Sequence, residues 1–369
     1  MKHDLAEVVK HFPIEGRFLD AAPYGTGHIN DTYATRWETG GTTVRWLQQR
    51  INHAIFKEPL KVMENILRVT RHLRGKLLDI PGADARREAL TVIPTRDGEP
   101  CWRDPDGNFW RTYAFIERAT TYDVCETADQ AAQAARAFGR FQKQLVDLPG
   151  GPLHETIPFF HHTPRRFQAL EDAIARDAVN RCASAAPEIA FAQARKGQTA
   201  VVTRLLEEGS LPTRITHNDT KLNNVMMDDL TGRGICVIDL DTVMNGSVLY
   251  DFGDMVRTCT RTSAEDEPDL RKVRFREDMY EALVRGYLEE AGPFLSSVEV
   301  EHLAFSGALI TFTIGIRFLA DYLSGDVYFR THRLAQNLER ARIQFKMVEE
   351  MERRKEGMAR TVRRYAGAA

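Results

Sequence analysis

The sequence HNDTKLNN at residues 217–224 is the most informative stretch of this chain. It places a carboxylate at Asp219 and an amide at Asn224, and the apolar run 235–238 that follows ends in a second carboxylate, Asp239. Phosphoryl transfer from ATP uses one carboxylate to accept a hydroxyl proton, and an amide oxygen and another carboxylate to hold Mg²⁺. The pattern therefore predicts a kinase that acts on a small molecule.

Each side chain in this set has a predicted role. Asp219 orients the acceptor hydroxyl and accepts its proton as the bond to phosphorus forms. Asn224 and Asp239 provide hard oxygen ligands for Mg²⁺, while His217 braces the loop through its ring nitrogens. The alternative, a surface loop with incidental polar residues, is disfavoured once the following strand and its terminal carboxylate are included.

Composition and charge limit the partners. A chain of 369 residues is longer than one hydrophobic core usually serves, so two lobes are expected. The net charge of -2 gives no broad field of one sign, which argues against nucleic acid and membrane surfaces as partners. The N-terminus lacks an apolar segment and the stretch 303–319 is interrupted by polar residues, so a cytoplasmic protein is expected. The oligomeric state is not encoded in any pattern.

Residue patterns divide the chain into a β-rich part and a helical part. Strands are predicted at 17–22, 32–38, 42–49, 90–94 and 109–116, with a hairpin turn at Gly40 and Gly41. A helix is predicted at 56–78, and helical periodicity dominates from residue 128 onward. We predict an α+β protein with a small antiparallel N-terminal nucleotide-binding lobe, 1–117, and a mainly helical C-terminal catalytic and substrate-binding lobe, 118–369.

Several motifs carry a resemblance to a known family. The segments 217–224, IDLD at 238–241 and YDFGD at 250–254 resemble the aminoglycoside phosphotransferase and choline kinase superfamily, which has a protein-kinase-like fold. Within it, YGTGHINDTY at 24–33, QRIN at 49–52, MENI at 63–66 and GIRFLADYLSGD at 315–326 most resemble the N-acetylhexosamine 1-kinases. The resemblance implies an enzyme that uses ATP and Mg²⁺ to phosphorylate the anomeric hydroxyl of an N-acetylated hexosamine.

The segment 24–33 is interpreted as a loop that covers the ATP phosphates. Gly25 and Gly27 let the backbone approach the phosphates closely, although Asn30 stands where a third glycine is usual. An ordinary glycine hairpin is the alternative. Thr32 belongs to the same nucleotide-binding motif, and His28 at the loop tip is a candidate sugar contact.

The third strand departs from the protein-kinase pattern. That fold usually pairs a strand lysine with a helix glutamate, yet here Gln49, or Arg50 with a shift of one residue, occupies the lysine position. We predict that Lys221 supplies the missing charge near the γ-phosphate. Glu64 either pairs with Arg50 or is simply exposed at the edge of its helix.

Other positions follow from the same resemblance. Phe115 and Glu117 flank the connection between the lobes, whose backbone is expected to recognise adenine, with an edge strand as the alternative. Asp241 is either a second metal ligand or a partner of the loop backbone, and the second role is favoured. Asp251 is expected to hold the catalytic loop through backbone N–H groups.

The acceptor is expected to contact the helical lobe. Arg317 and Asp321 lie four residues apart in the otherwise apolar segment 309–323. Such pairs are usually structural salt bridges, but a sugar kinase needs planar hydrogen-bonding groups, and both residues are candidate substrate contacts together with His28 and Asp219.

Two other functions stay open on the sequence alone. A kinase of an amino alcohol or an aminoglycoside would use the same chemistry with an acidic acceptor site. An inactive nucleotide-binding scaffold would explain the missing strand lysine and the replaced glycine.

Overall fold

The computed structural model describes residues 3–25, 27 and 29–367. The chain forms two compact units: Met1–Thr120, Asp147–Pro158 and Val225–Asn245 belong to the first, and Thr121–Val146, Phe159–Asn224 and Gly246–Ala369 belong to the second. The lobes 1–117 and 118–369 stay a prediction, and these units differ from them by assigning two later segments to the first unit.

The strands lie mainly in the first unit. In chain order they are β1 (Arg17–Pro23), β2 (Asp31–Thr39), β3 (Thr42–Ile51), β4 (Val92–Ile93), β5 (Trp102–Arg103), β6 (Phe109–Ala114), β7 (Ala119–Thr120), β8 (Arg214–Thr216), β9 (Val225–Asp228), β10 (Gly234–Val237) and β11 (Met244–Gly246). An antiparallel sheet has the order β1-β2-β3-β6-β4, with β5 paired to β6, and a second sheet has the order β10-β9-β7. The predicted strands are confirmed.

The hairpin between β2 and β3 follows directly from its sequence. Gly40 and Gly41 both have positive φ, 58° and 80°, which is the conformation of a two-residue turn that matches the twist of the strands. The register pairs Thr32 with Gln49 and Asp31 with Arg50, and β3 in turn pairs Gln49 with Arg111 of β6. Polar side chains of three neighbouring strands are thereby brought side by side.

Helices make up most of the second unit. In chain order the helices of the protein are α1 (Leu5–Val8), α2 (Pro59–Leu78), α3 (Ala128–Leu145), α4 (Thr163–Arg176), α5 (Ala186–Gln193), α6 (Val201–Glu207), α7 (Val248–Cys259), α8 (Glu277–Ala291), α9 (Ser297–Leu323), α10 (Gln336–Arg353) and α11 (Lys355–Ala366). α1 and α2 belong to the first unit and α3 to α11 to the second. The sequence patterns did not predict α5 or α11.

α9 is the central helix of the second unit. It begins with a capping box formed by Ser296 and Glu299, and it packs against α4, α7 and α10. Its composition and length would allow it to cross a membrane, but 67% of its most apolar window is buried inside the protein. This burial is typical of a core helix.

Candidate active site

In the second unit, the buried carboxylate of Asp251 holds the loop 217–224. Asp251 lies in the first turn of α7. Its Oδ1 accepts a hydrogen bond from the Asn218 N–H at 2.7 Å, and its Oδ2 accepts one from the His217 N–H at 2.9 Å. Gln142 donates a further bond to Oδ2 at 2.6 Å. The role predicted for Asp251 is confirmed.

Asp219 is the half-exposed carboxylate that this loop presents. Its backbone N–H donates to His217 Nδ1 at 3.2 Å, so the ring braces the loop as predicted. Lys221 Nζ lies 3.1 Å from Asp219 Oδ2. Burial acts to raise the pKa of Asp219, but the positive charge of Lys221 opposes it and the pKa lies below its ordinary value. Asp219 is therefore ionised at neutral pH, as a proton acceptor must be.

The amide of Asn224 is oriented by Asp219. Asn224 Nδ2 donates to the backbone oxygen of Asp219 at 2.7 Å and to its Oδ2 at 3.1 Å. Because both bonds use the nitrogen, the carbonyl oxygen of Asn224 is the atom left to bind a cation. A neutral oxygen donor of this kind suits Mg²⁺.

His161 supports the same loop from a buried position. Its Nε2 lies 2.7 Å from the backbone oxygen of Asn218, so a neutral ring with hydrogen on Nε2 donates this bond. Nδ1 is buried without a hydrogen-bond partner. Burial lowers the pKa of His161 from 6.5 to about 4, although the bond to Asn218 opposes the shift. The ring of His161 is thus neutral in the folded protein at neutral pH.

This histidine should make stability depend on pH. Between about pH 6.5 and about pH 4 the unfolded chain binds a proton at His161 and the folded chain does not. As the pH falls through this range, the contribution of His161 to the free energy of unfolding should therefore decrease by about 1.4 kcal/mol per pH unit. Urea unfolding of the wild type and of His161→Gln across this range measures the difference. The variant should show a shallower pH dependence, whereas His53→Gln, at an exposed position, should follow the wild type. Parallel curves for all three proteins would contradict the assignment.

Arg317 of α9 lies half-buried among aromatic rings. Its guanidinium carbon is 5.6 Å from the ring centroid of Phe160, 5.8 Å from that of Tyr328 and 5.4 Å from that of Phe329. Among the residues that the structure describes, Arg317 has no ion-pair partner. Burial, reinforced by the charge of Arg166, lowers the pKa of Arg317 to about 10. The charges of Arg317 and Asp219 both act on His161, so His161 lies within electrostatic reach of both the guanidinium and the candidate base.

The carboxylate of Asp321, four residues after Arg317, is bonded to backbone and amide N–H groups. Its Oδ1 accepts bonds from the N–H groups of Val327 and Tyr328, and its Oδ2 accepts bonds from the Phe329 N–H and from Asn337 Nδ2, all at 2.8 to 3.0 Å. The carboxylate therefore shapes the loop that carries Tyr328 and Phe329, two of the three rings around Arg317. These contacts favour a structural role for Asp321 over the predicted substrate contact.

Asp239 and Asp241 lie in the first unit, directly after β10. Asp239 has a left-handed backbone, φ 58° and ψ 57°, at the start of the 3₁₀ turn Leu240–Thr242. Asp241 is buried, and its carboxylate accepts hydrogen bonds from Arg111 and Asn30. The predicted alternatives for the Asp241 carboxylate were metal ligation and bonding to the loop backbone. In the structure its hydrogen-bond donors are instead the side chains of Arg111 and Asn30.

Arg111 is the residue of this group that the sequence analysis missed. The available signal was a single cation in the otherwise uncharged strand β6. Arg111 donates to the side-chain oxygen of Gln49 through Nε at 2.9 Å and Nη2 at 2.6 Å, and Gln49 donates to Thr32 Oγ1 at 2.8 Å. Gln49, one of the two candidates for the position of the usual strand lysine, is thus held by a buried arginine.

The predicted pair between Arg50 and Glu64 is wrong. Arg50 Nε lies 2.6 Å from Asp31 Oδ2 on the neighbouring strand. Glu64 is exposed on α2, and its carboxylate lies 2.8 Å from His154 Nε2. The alternative, that Glu64 is an exposed residue at the edge of its helix, is confirmed.

The glycine loop leaves room above its backbone. A Cβ added to Gly25 or Gly27 would meet no atom within 4 Å, and Gly25 has a φ of 80°, which glycine adopts without strain. Asn30, at the third position, accepts a bond from the Asn52 N–H at 2.9 Å. His28, the predicted sugar contact, lies outside the described residues.

Phe115 and Glu117 follow β6 and share a partner. The Arg45 guanidinium lies 3.8 Å from the Phe115 ring centroid, and Arg45 Nε donates to Glu117 Oε1 at 3.0 Å. Both side chains are engaged at the surface of the unit, so an adenine contact here would use the backbone.

The metal prediction depends on few protein ligands. In 3–25, 27 and 29–367, no group of three or more His, Cys, Asp or Glu side chains is arranged to hold a metal ion. Mg²⁺ in phosphoryl-transfer sites is commonly held by one or two protein oxygens together with phosphates and water. Asn224 of the second unit offers an amide oxygen and Asp239 of the first unit offers a carboxylate, and each is a donor of the kind that Mg²⁺ prefers.

Comparisons with known proteins agree with these features. The sequence model of the phosphotransferase enzyme family matches residues 20–291. The fold is similar to that of the microcompartment-associated aminopropanol kinase, with a TM-score of 0.60 and 19% identity over 96% of this chain and 99% of that chain. It is also similar to a choline kinase from Cryptosporidium parvum (TM-score 0.58, 14% identity, 96% of both chains) and to a spectinomycin phosphotransferase in complex with ADP and spectinomycin (0.53, 16%, 95% and 97%). The predicted α+β, protein-kinase-like fold is confirmed.

Proposed function

The chain belongs to the phosphotransferase enzyme family, and we propose that it transfers the γ-phosphoryl group of ATP to the anomeric hydroxyl of an N-acetylhexosamine. That it is a small-molecule phosphotransferase with an alcohol acceptor follows from the family. The chemical class of the acceptor does not follow from the family.

The observation that carries the acceptor class is the environment of Arg317. A cationic amino alcohol or aminoglycoside placed beside this guanidinium would be repelled, by ~4 kcal/mol for unit charges about 4 Å apart at an effective dielectric constant of about 20. Two carboxylates of α7 are already engaged, because Asp251 accepts backbone N–H groups and Asp254 Oδ1 lies 2.7 Å from Arg257 Nε. A neutral acceptor with hydroxyl and carbonyl oxygens suits this environment, and the rings of Phe160 and Tyr328 suit the apolar face of a sugar.

Four side chains have proposed roles in the reaction. Asp219, ionised at neutral pH, orients the anomeric hydroxyl and accepts its proton as the bond to phosphorus forms. Lys221 contributes positive charge near the transferred group. Asn224 and Asp239 would hold Mg²⁺, which would supply positive charge to offset the negative charge of the phosphates.

Nucleotide binding is assigned mainly to backbone groups. The N–H groups around Gly25 and Gly27 would approach the phosphates, and the backbone at Phe115 and Glu117 would recognise adenine. Arg50 and Glu64 have other partners, so we assign them no nucleotide contact.

A coupled assay for ADP release tests the acceptor class. The panel consists of N-acetylglucosamine, N-acetylgalactosamine, choline, homoserine and an aminoglycoside, with the methyl glycoside of each sugar as a matched control that lacks the anomeric hydroxyl. We expect turnover with a free N-acetylhexosamine and none with its methyl glycoside. Turnover confined to choline or the aminoglycoside would replace the proposal by its first alternative. Tight ATP binding without turnover of any acceptor would favour an inactive scaffold.

Replacing Arg317 by methionine should weaken acceptor recognition selectively. A hydrogen bond to a charged group contributes about 1.5–3 kcal/mol, so kcat/KM for the sugar should fall roughly 10- to 150-fold, while KM for ATP stays within about twofold of the wild type. Steady-state kinetics with each substrate varied in turn measure both quantities.

Arg165 provides the matched control for this change. It is an exposed arginine that also lies against a ring, with its guanidinium 3.5 Å from the Phe159 centroid. Arg165→Met should retain near-normal kinetics. An equal loss in both variants, or a loss that appears in KM for ATP, would count against Arg317 as an acceptor contact.

A further inference from the structure

Arg111 and Asp241 form a buried ion pair inside the first unit. Their side chains are 1% and 2% exposed, and the contact is bidentate, with Nη1 2.5 Å from Oδ1 and Nη2 2.9 Å from Oδ2. Replacing both members of a buried pair by apolar residues is often neutral for stability or stabilising. Stability alone is therefore a weak reason for this pair, and its position in the fold points to another role.

The arginine is fully engaged within the unit. Besides the two bonds to Asp241, its Nε and Nη2 donate to the side-chain oxygen of Gln49, and Nη1 lies 3.8 Å from Met63 Sδ. A guanidinium has five N–H donors, and these contacts use all of them. Arg111 thus has no donor left for a phosphate oxygen.

The aspartate connects two segments that the proposed function uses. Asp241 Oδ2 accepts a bond from Asn30 Nδ2 at 2.7 Å, at the end of the glycine loop. Two residues before Asp241, Asp239 has a left-handed backbone, a conformation that costs roughly 1–2 kcal/mol for most residues and less for aspartate. An anchored Asp241 restrains the short turn that follows Asp239 and so helps to keep Asp239 in that conformation.

We propose that Arg111 is a positioning residue for the magnesium ion of the nucleotide: it anchors Asp241 and thereby fixes the carboxylate of Asp239 that is proposed to bind the metal. The inference rests on the proposed function, which assigns Asp239 to Mg²⁺. It also accounts for Gln49. In place of a strand lysine, the positive charge here belongs to Arg111, which is paired with Asp241 and donates to Gln49.

A double variant, Arg111→Met with Asp241→Leu, separates positioning from stability. Because both charges are removed together, the variant should unfold near the wild-type denaturant midpoint. Its affinity for ADP in magnesium chloride should fall about 10- to 100-fold, the usual effect of removing a group that orients a metal ligand. Its affinity for ADP in EDTA should stay within about twofold of the wild type, because no phosphate contact is lost. Calorimetric titration of ADP under the two conditions measures both affinities without any turnover.

Arg111→Lys provides a second variant that retains the charge but not the planar fork. We expect the same selective loss of affinity in magnesium, and this variant decides the question if the double variant does not fold. Arg17→Met is the control, since Arg17 forms an ion pair in the same unit, with Nη2 2.5 Å from Glu38 Oε2, and should bind ADP like the wild type under both conditions.

Two outcomes would overturn the inference. Normal affinity for ADP in magnesium in a folded Arg111 variant would leave the pair with a structural role only. An equal loss in magnesium and in EDTA would mean that Arg111 acts on the nucleotide directly. Failure of the wild type itself to bind ADP in a magnesium-dependent way would instead defeat the proposed function, so the two failures are distinguishable.

Discussion

Replacing Asp219 by asparagine is expected to lower kcat by about 10²- to 10⁴-fold, the contribution of a well-placed general base. The substitution keeps the size of the side chain and its ability to accept the Asn224 bond, but it removes the group that accepts the hydroxyl proton. The affinity for ATP should change little, because Asp219 is assigned to the acceptor hydroxyl. Coupled ADP release and calorimetric titration of ATP measure the two effects.

The pH dependence of this loss is a further part of the prediction. Since the pKa of Asp219 lies below its ordinary value, the wild-type carboxyl stays ionised from about pH 6 to about pH 8 and the ratio of the two kcat values should be similar across that range. Asp123→Asn is the control, because Asp123 is exposed and accepts a bond from Asn223 of the same loop, which an asparagine can still accept. Wild-type turnover in Asp219→Asn would remove the assignment of the base.

Replacing Asp239 by asparagine should be the second largest loss. A metal ion contributes several kcal/mol to stabilising the charge of the transition state, so weakening its anionic ligand is expected to lower kcat/KM for ATP by at least about 10²-fold. The concentration of Mg²⁺ needed for half-maximal activity should rise at the same time. Magnesium titrations at saturating ATP and sugar measure this shift.

Asp229 is the matched control for Asp239. It is an exposed aspartate of the first unit, and its carboxylate accepts a bond from the Thr120 hydroxyl. Asp229→Asn should titrate with magnesium like the wild type. If Asp239→Asn lost activity without any change in its magnesium requirement, a metal-binding role for Asp239 would be refuted.

Local sequence patterns predicted a large part of the fold. The β2–β3 hairpin was predictable because two consecutive glycines supply the positive φ that its turn requires. The helices α2, α3 and α8 were predictable because apolar residues recur at helical spacing on the buried face of each. α5 has no such signal, since it is short and rich in alanine.

The candidate site also has parts that local sequence predicted and parts that it did not. The loop 217–224 was predictable because its motif has a fixed local spacing, and the role of Asp251 was implied by the resemblance of YDFGD at 250–254 to a known family. The partner of Arg111 was not, because Asp241 is 130 positions away. The partner of Glu64 was missed for the same reason, since His154 is 90 positions away and the nearer Arg50 pairs across the sheet with Asp31.

The sequence by itself therefore determined which chemical groups the proposed reaction can use and their local order: carboxylates at Asp219 and Asp239, an amide at Asn224, and glycines ahead of a β hairpin. Only the tertiary structure decided which charges neutralise one another, as Arg111 does with Asp241, and which one is left without a counter-ion among the described residues, as at Arg317. The physical reason is that local backbone preferences depend on neighbours in the chain, whereas the energy of a buried charge depends on desolvation and on partners that packing brings together.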